Sequence, residues 1–466
     1  MEHRVHWSKF IAAFTAAALT ALPIAAHAQG EAAGANALIS YRSLFHPVEA
    51  ANGMVAAQDA LAAEVGRDIL KKGGNVVDAA VATGFALAVT HPQAGNIGGG
   101  GFMLIKFADR DEVIAIDYRE LAPAAATRDM FLDEKGDVDN SRARFSHLST
   151  GVPGSVMGLV TALEKYGSMP LGAAMAPAIR LADKGFPVSG ALADAFGQYA
   201  ERFGRDPSSL AYFTRDGAAF RKGDILVQKD LAKTLKAIAK NGAKGFYEGP
   251  VADRIVAEMA ANGGLITHED LKSYRAAERG AVRGTFRGYE VVSMPPPSSG
   301  GVHLIEMLNV LEGRDLAAMG HNSADYLGLL VETMRRAYAD RSAYLGDPDF
   351  FDVPVAALTA PDYAAKIRSQ INPRRATKSS DVAPGLGPIG ESEQTTHYSV
   401  MDKDGNAVAV TTTLNFTFGS SYSVNGAGFL LNNEMDDFSS KPGTPNGFGL
   451  LGGEANEIGP KKRPLS

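Results

Sequence analysis

The sequence predicts an α/β sandwich that folds as one cooperative unit. Two apolar hairpin patterns carry this expectation, one near residues 101–120 and one near 395–413, together with the long helical stretch between them. In order, "ALAAEVGRDILKKGGNVVDAAVATGFALAVTHP" reads as two helices. Leu61, Val65 and Ile69 recur at helical spacing, Gly73-Gly74 stop the first helix, and Pro92 follows the second. "GFMLIKFADRDEVIAIDYRE" is a hairpin around the turn "ADRDE". Helices follow at "DLAKTLKAIAKNG", with Leu231, Leu235 and Ile238 on one face, and at "VADRIVAEMAANGG". "GYEVVSMPPPSSGG" is a strand ending in a proline block, and "ADYLGLLVETMRRAYADRSAYLG" is a long helix. The stretch 372–394 is polar, rich in proline and glycine, and without apolar period, so it reads as a linker or exposed loop. Strands are then expected to cluster between Thr395 and Asn433.

Composition narrows the function classes. A chain of 466 residues, 45% hydrophobic, with a formal net charge of −6, fits a globular protein and gives no basic stripe for nucleic acid. Without a single cysteine it has no disulfides, thiol nucleophile or thiolate zinc site. Its ten histidines form no H-E-x-x-H pair, so neither a metal nor a cofactor is expected. At the start, Arg4 and Lys9 precede an apolar run from Phe10 to about Ala26, closing with Ala26-His27-Ala28. That pattern predicts a secretory signal over residues 1–28, hence a periplasmic or secreted mature protein with no membrane span.

The second hairpin holds the candidate chemistry. In "TTHYSVMDKDGNAVAVTTTLNF" the turn Asp402–Asn406 suits a three-residue loop with Gly405 left-handed. That register pairs Val400 with Val408 and Thr395 with Thr413, with Asn415 on the same face. A two-residue loop on Asp404-Gly405 would put Leu414 across instead. Facing threonines are also ordinary strand packing. A threonine becomes a nucleophile when it is N-terminal, because its own α-amine can act as base at a pKa of ~7.7–8.0. This requires a cut between Gln394 and Thr395, at the end of the flexible stretch, and Thr395 is expected to be a buried N-terminus once freed. Thr413 would orient its hydroxyl.

The motifs "NIGGGGFM", "DYRELAP", "SMPPPSSGG", "YADRSAYLGDPDF", "TTHYSV", "LLNNEMDDFS" and "GPKKRPLS", in that order, resemble those of the γ-glutamyltranspeptidases. The resemblance runs from about Ala51 to Ser466. It implies the four-layer αββα N-terminal-nucleophile hydrolase fold and self-cleavage before Thr395 into a large subunit, residues 29–394, and a small subunit beginning at Thr395. It further implies attack on the γ-carbonyl of glutathione and other γ-glutamyl compounds, the product passing to water or to an acceptor amino acid or peptide. Arg119 would bind the glutamyl α-carboxylate, as a planar fork suits. Asn415, Glu434 and Asp437 match positions that hold the α-amino group, and Ser466 a substrate-binding position. Some relatives carry glutamine in place of Glu434. "KPGTPNGFGLLGG" matches a lid loop, with Phe448 over the pocket.

Taken alone, Arg119 would read as a surface ion pair and the acidic cluster as a solvated turn. Gly98–Gly101 lacks phosphate-loop spacing and reads as close backbone packing near the site. In the family the chain continues past "PLS" to a second serine, oxyanion-hole glycines and further core strands. The resemblance therefore implies a C-terminally truncated fragment that would not mature or turn over efficiently. Two other readings are a cephalosporin or glutaryl acylase of the same superfamily and an uncleaved, non-catalytic periplasmic binding protein.

Overall fold

A computed structural model of the chain describes residues 47–382 and 395–466. The signal region, Gln394 and most of the linker lie outside the described residues. Asn52–Ser466 forms one compact unit. Strand β1 (Gly53–Ala56) leads into α1 (Ala60–Lys71) and α2 (Val76–Thr90). The break between these helices follows from local chemistry. Gly73 adopts a left-handed φ, and Asn75 with Asp78 forms a reciprocal capping box that starts α2. Every residue of α2 is buried, which fits its largely apolar sequence.

The predicted first hairpin is β2 (Gly100–Lys106) and β3 (Val113–Asp117). Helices α3 (Ser155–Tyr166), α4 (Leu171–Lys184), α5 (Lys229–Asn241) and α6 (Pro250–Asn262) follow. Then come β4 (Ala277–Gly280), β5 (Val282–Phe286) and β6 (Tyr289–Ser293). Helices α7 (Gly300–Leu311), α8 (Ala324–Tyr344) and α9 (Pro361–Gln370) precede β7 (Thr396–Asp402) and β8 (Ala407–Thr413).

Six strands form one antiparallel sheet in the order β1-β7-β8-β2-β3-β4. The strands on either side of residues 383–394 are thus interleaved, with β8 pairing with β2 and β7 with β1. Alternation sorts the two faces. Met103, Ile105, Ile116, Val400 and Val410 pack with α2 and α3 in the main core. On the other face Phe102, Leu104 and Ala115 meet Ala281 and Met294 at the ends of the separate β5–β6 ribbon. Helix α7 backs that ribbon through Ile305 and Val302. The layers run helix, sheet, ribbon, helix, an αββα arrangement. No helix among the described residues is long and apolar enough to cross a membrane.

One expectation needs correcting. Strands do not cluster as far as Asn433: regular pairing stops at Thr413, and from there to Asn433 the described residues show only an isolated bridge between Ser423 and Leu430. Asn415, Phe418 and Ser421 all take positive φ, which a strand cannot accommodate.

Candidate active site

The DKDGN turn sets the register of β7 against β8. Asp402 accepts from Gly405 N at 3.3 Å and donates its own N–H to Asn406 O at 3.1 Å, with Gly405 at φ 86°. Val400 pairs with Val408 and Thr396 with Thr412, the three-residue-loop register. Thr395, just before β7, therefore faces Thr413, and its Oγ1 donates to Thr413 Oγ1 at 3.4 Å. Thr395 is exposed, not buried as the sequence suggested; the burial begins at Thr396. Thr413 Oγ1 also accepts from Asn415 N at 2.8 Å, the hydrogen bond that turns the chain out of the strand. Asn415 does not continue the strand face, because its φ is 74°. Its Nδ2 instead donates to Asn433 O at 2.9 Å, joining the threonine pair to the acidic turn.

The glycine run packs against this hairpin. A Cβ at Gly99 would meet the Thr413 carbonyl oxygen, and one at Gly100 would meet the Glu120 carboxyl. Asn96 draws the same strands together, donating to Thr413 O at 2.8 Å while its Oδ1 accepts from Gly99 N at 2.8 Å. The run is close backbone packing, as expected.

Arg119 follows β3 and is 1% exposed, so it is no surface ion pair. Its backbone N–H is fixed by Asp117 Oδ1 at 3.0 Å and its Nε donates to Pro464 O at 3.2 Å. Its fork is divided: Nη1 pairs with Glu434 and Nη2 with Asp437. In the short 3-10 turn over Glu434–Asp437, Glu434 and Asp436 are likewise buried and Asp437 is largely so. The sequence reading gave Arg119 to a carboxylate and the two acids to an ammonium. In the structure Arg119 pairs with both acids.

Burial drives the carboxyls away from their ordinary values. It raises Glu434 well above the usual range against the pull of Arg119, with Glu120 and Asp437 adding like charge. It raises Asp437 too, opposed by Arg119 and then by Arg341. Glu120, fully buried and with both carboxyl oxygens lacking a donor, is pushed up to about 7. Asp436 rises to about 6 by burial, although Arg144 Nε donates to it at 3.0 Å.

Ser466 is held by its backbone. Its N–H donates to Pro297 O at 2.9 Å, and its backbone oxygen accepts from Ser299 Oγ and Ser299 N. Phe448 rests edge-on against Phe416 at 5.0 Å between centroids, one residue past Asn415. The loop carrying it is tied down by Gly447 N donating to Asp436 at 2.8 Å and Asn446 Nδ2 to Asp437 at 3.3 Å.

Sequence reasoning missed three groups here. Glu120 and Arg341 lie inside motifs singled out for other members, and Asn432 precedes the acidic turn. Asn432 is completely buried; it accepts from Gly151 N and Glu434 N and donates to the carbonyls of Gly98 and Gly151. No cluster that could hold a metal ion occurs among the described residues.

The family profile described as Gamma-glutamyltranspeptidase matches residues 62–466. The Escherichia coli K12 glutathione hydrolase proenzyme is 56% identical over 424 residues, 91% of this chain and 73% of that protein. The Helicobacter pylori gamma-glutamyltranspeptidase crystal structure superposes with a TM-score of 0.71 at 47% identity, covering 75% of this chain and all of that one. The cephalosporin acylase from Bacillus halodurans gives a TM-score of 0.76 at 29% identity, over 91% of this chain and 76% of that one. With a profile match over most of its length and identity above half to a glutathione hydrolase proenzyme, the chain belongs to the gamma-glutamyltranspeptidase family.

Proposed function

We propose that the protein is a self-processing γ-glutamyl transferase and hydrolase in which Thr395 is the nucleophile. The observation that carries this is the Thr395 Oγ1–Thr413 Oγ1 hydrogen bond at the mouth of a hairpin, linked through Asn415 to the buried Arg119, Glu434 and Asp437 cluster. Thr395 Oγ attacks the Gln394 carbonyl, the peptide nitrogen leaves as the α-amine of Thr395, and water hydrolyses the resulting ester. The freed amine then takes the hydroxyl proton as Oγ adds to the γ-carbonyl of glutathione or a related amide. The departing amine receives that proton, and a γ-glutamyl ester remains on Thr395. Water, or the amine of an acceptor amino acid or peptide, adds to this ester and releases Thr395. Arg119 takes the α-carboxylate of the donor, while Glu434, Asp437 and the Asn415 side chain surround its ammonium. Ser466 borders the pocket, and Phe448 covers it and restricts water. The two subunits stay together, since strands from both interleave in one sheet. The basic and apolar start supports export to the periplasm or beyond.

Intact mass and N-terminal sequencing of the full-length gene product test this reading. Two chains are expected, one starting at Thr395, and Thr395→Ala should remain one chain and release no p-nitroaniline from γ-glutamyl-p-nitroanilide. A single unbroken parent chain would remove the base and the proposal with it. The acylase reading is favoured by the likeness to the cephalosporin acylase. The buried cation beside two acids suits an α-amino acid head better than a glutaryl group, so glutaryl donors should be poor substrates.

A further inference from the structure

The Arg119 fork cannot serve two masters. Both of its terminal nitrogens are committed, Nη1 to Glu434 and Nη2 to Asp437. A substrate carboxylate that takes the fork in bidentate form must displace them. Asp437 would then be a carboxylate with 11% of its side chain exposed and without its cation, at the moment it is needed as an anion. The other groups facing it make this worse. Glu434 and Asp436 lie on its own turn, Glu120 follows Arg119, and all are acidic. The cation nearest to Asp436, Arg144, is spent on Asp436 itself, and Asn446 offers only an amide.

One further buried cation is held close to this segment of the chain. Arg341, in the last turn of α8, is 4% exposed. Among the described residues no carboxylate lies within ion-pair distance of it, and its Nε donates only to Ser299 Oγ, at 3.3 Å. Ser299 in turn holds the backbone oxygen of Ser466, two residues past the Pro464 carbonyl that accepts from Arg119 Nε, so both guanidiniums are anchored on the same short segment. A buried arginine without a carboxylate partner is uncommon and costly unless a charge is close by. Its strongest attraction is to Asp437, and it is repelled by Arg119.

Resting on the Thr395 reading, we propose that Arg341 is the alternate counter-ion of Asp437 and a positioning residue for the substrate ammonium. When Arg119 goes over to the donor α-carboxylate, Arg341 keeps Asp437 ionised and aimed at the incoming ammonium. The substrate enters as a zwitterion, so the exchange moves no net charge into the buried site.

The test compares γ-glutamyl-p-nitroanilide with glutaryl-p-nitroanilide, which lacks the ammonium, in the full-length gene product and in Arg341→Gln and Arg341→Lys, from pH 5 to 9. The Thr395 amine also titrates in this range, but it acts on both donors alike. The ratio of their kcat/KM values therefore reads the ammonium site alone. In Arg341→Gln, KM for the γ-glutamyl donor should rise about tenfold or more, the equivalent of one pKa unit of lost interaction, with kcat changed less. The pH below which the ratio collapses should move upward, and Arg341→Lys should restore it. An equal loss on both donors, or an unmoved ratio, overturns the proposal in favour of a structural role. Should Arg341→Gln fail to fold, Arg341→Met takes its place: an upward move of that pH limit supports the proposal and an unmoved one refutes it. A parent chain that is uncut before Thr395 and inactive overturns both this and the nucleophile reading, whereas a cut and active parent with an unmoved ratio overturns this one alone.

Discussion

Truncating Asn432 to alanine is the most severe small change the structure predicts near the site. The side chain is 0% exposed and serves four backbone groups. Its Oδ1 accepts from Gly151 N at 2.9 Å and Glu434 N at 3.0 Å, and its Nδ2 donates to Gly98 O and Gly151 O, both at 2.8 Å. Removing the amide leaves all of them buried without a partner, at ~1–3 kcal/mol each. The low end of that range sums to about 4 kcal/mol, a loss seen only when a buried network is broken. Urea unfolding followed by far-UV circular dichroism should show a lower midpoint at an unchanged slope. A loss below about 1 kcal/mol would refute the reasoning, because the four groups would then have other partners. Asn432→Asp supplies a control. It keeps the acceptors, but an ionised carboxylate would face the carbonyls of Gly98 and Gly151, so its pKa in the folded state is raised above the unfolded value. Stability is then present at low pH and lost as pH rises through the folded pKa, so this variant should partly recover between pH 7.5 and pH 5.

Two further outcomes follow from the same contacts. Thr413→Val keeps the shape but leaves Asn415 N–H, bonded at 2.8 Å, and the Thr395 hydroxyl without their acceptor; self-cutting or p-nitroanilide turnover should slow about 100-fold, while Thr413→Ser stays within about tenfold. Equal rates in the two variants would show that the hydroxyl does not orient Thr395. On α7, Glu306 is buried without a donor, and burial with Asp340 alongside pushes it up to about 9. Its folded pKa lies above the unfolded ~4.3, so its contribution is full below that value and is lost as pH rises toward 9. Thermal unfolding of Glu306→Gln should therefore lose less stability between pH 5 and 9 than the parent, and parallel pH profiles would contradict this.

Local chemistry was legible in the sequence because its causes are local. The Asp402–Asn406 turn fixed the register that sets Thr395 opposite Thr413, eighteen residues apart, and Gly73-Gly74 marked the end of α1. Motif resemblance added Arg119, Glu434 and Asp437, but as holders of a substrate. Only the tertiary structure decided that Arg119 binds both acids, across more than three hundred residues, and that Thr395 lies exposed. Helical and strand periodicities record which face of an element is buried; they carry no record of sheet order. The interleaving β1-β7-β8-β2-β3-β4 brings β3 and its following Arg119 to the chain beyond β8. Burial there removes water from Glu120, Glu434 and Asp437 together, and this shared desolvation makes Arg341 and Asn432 matter. No single one of those residues announces it in the sequence.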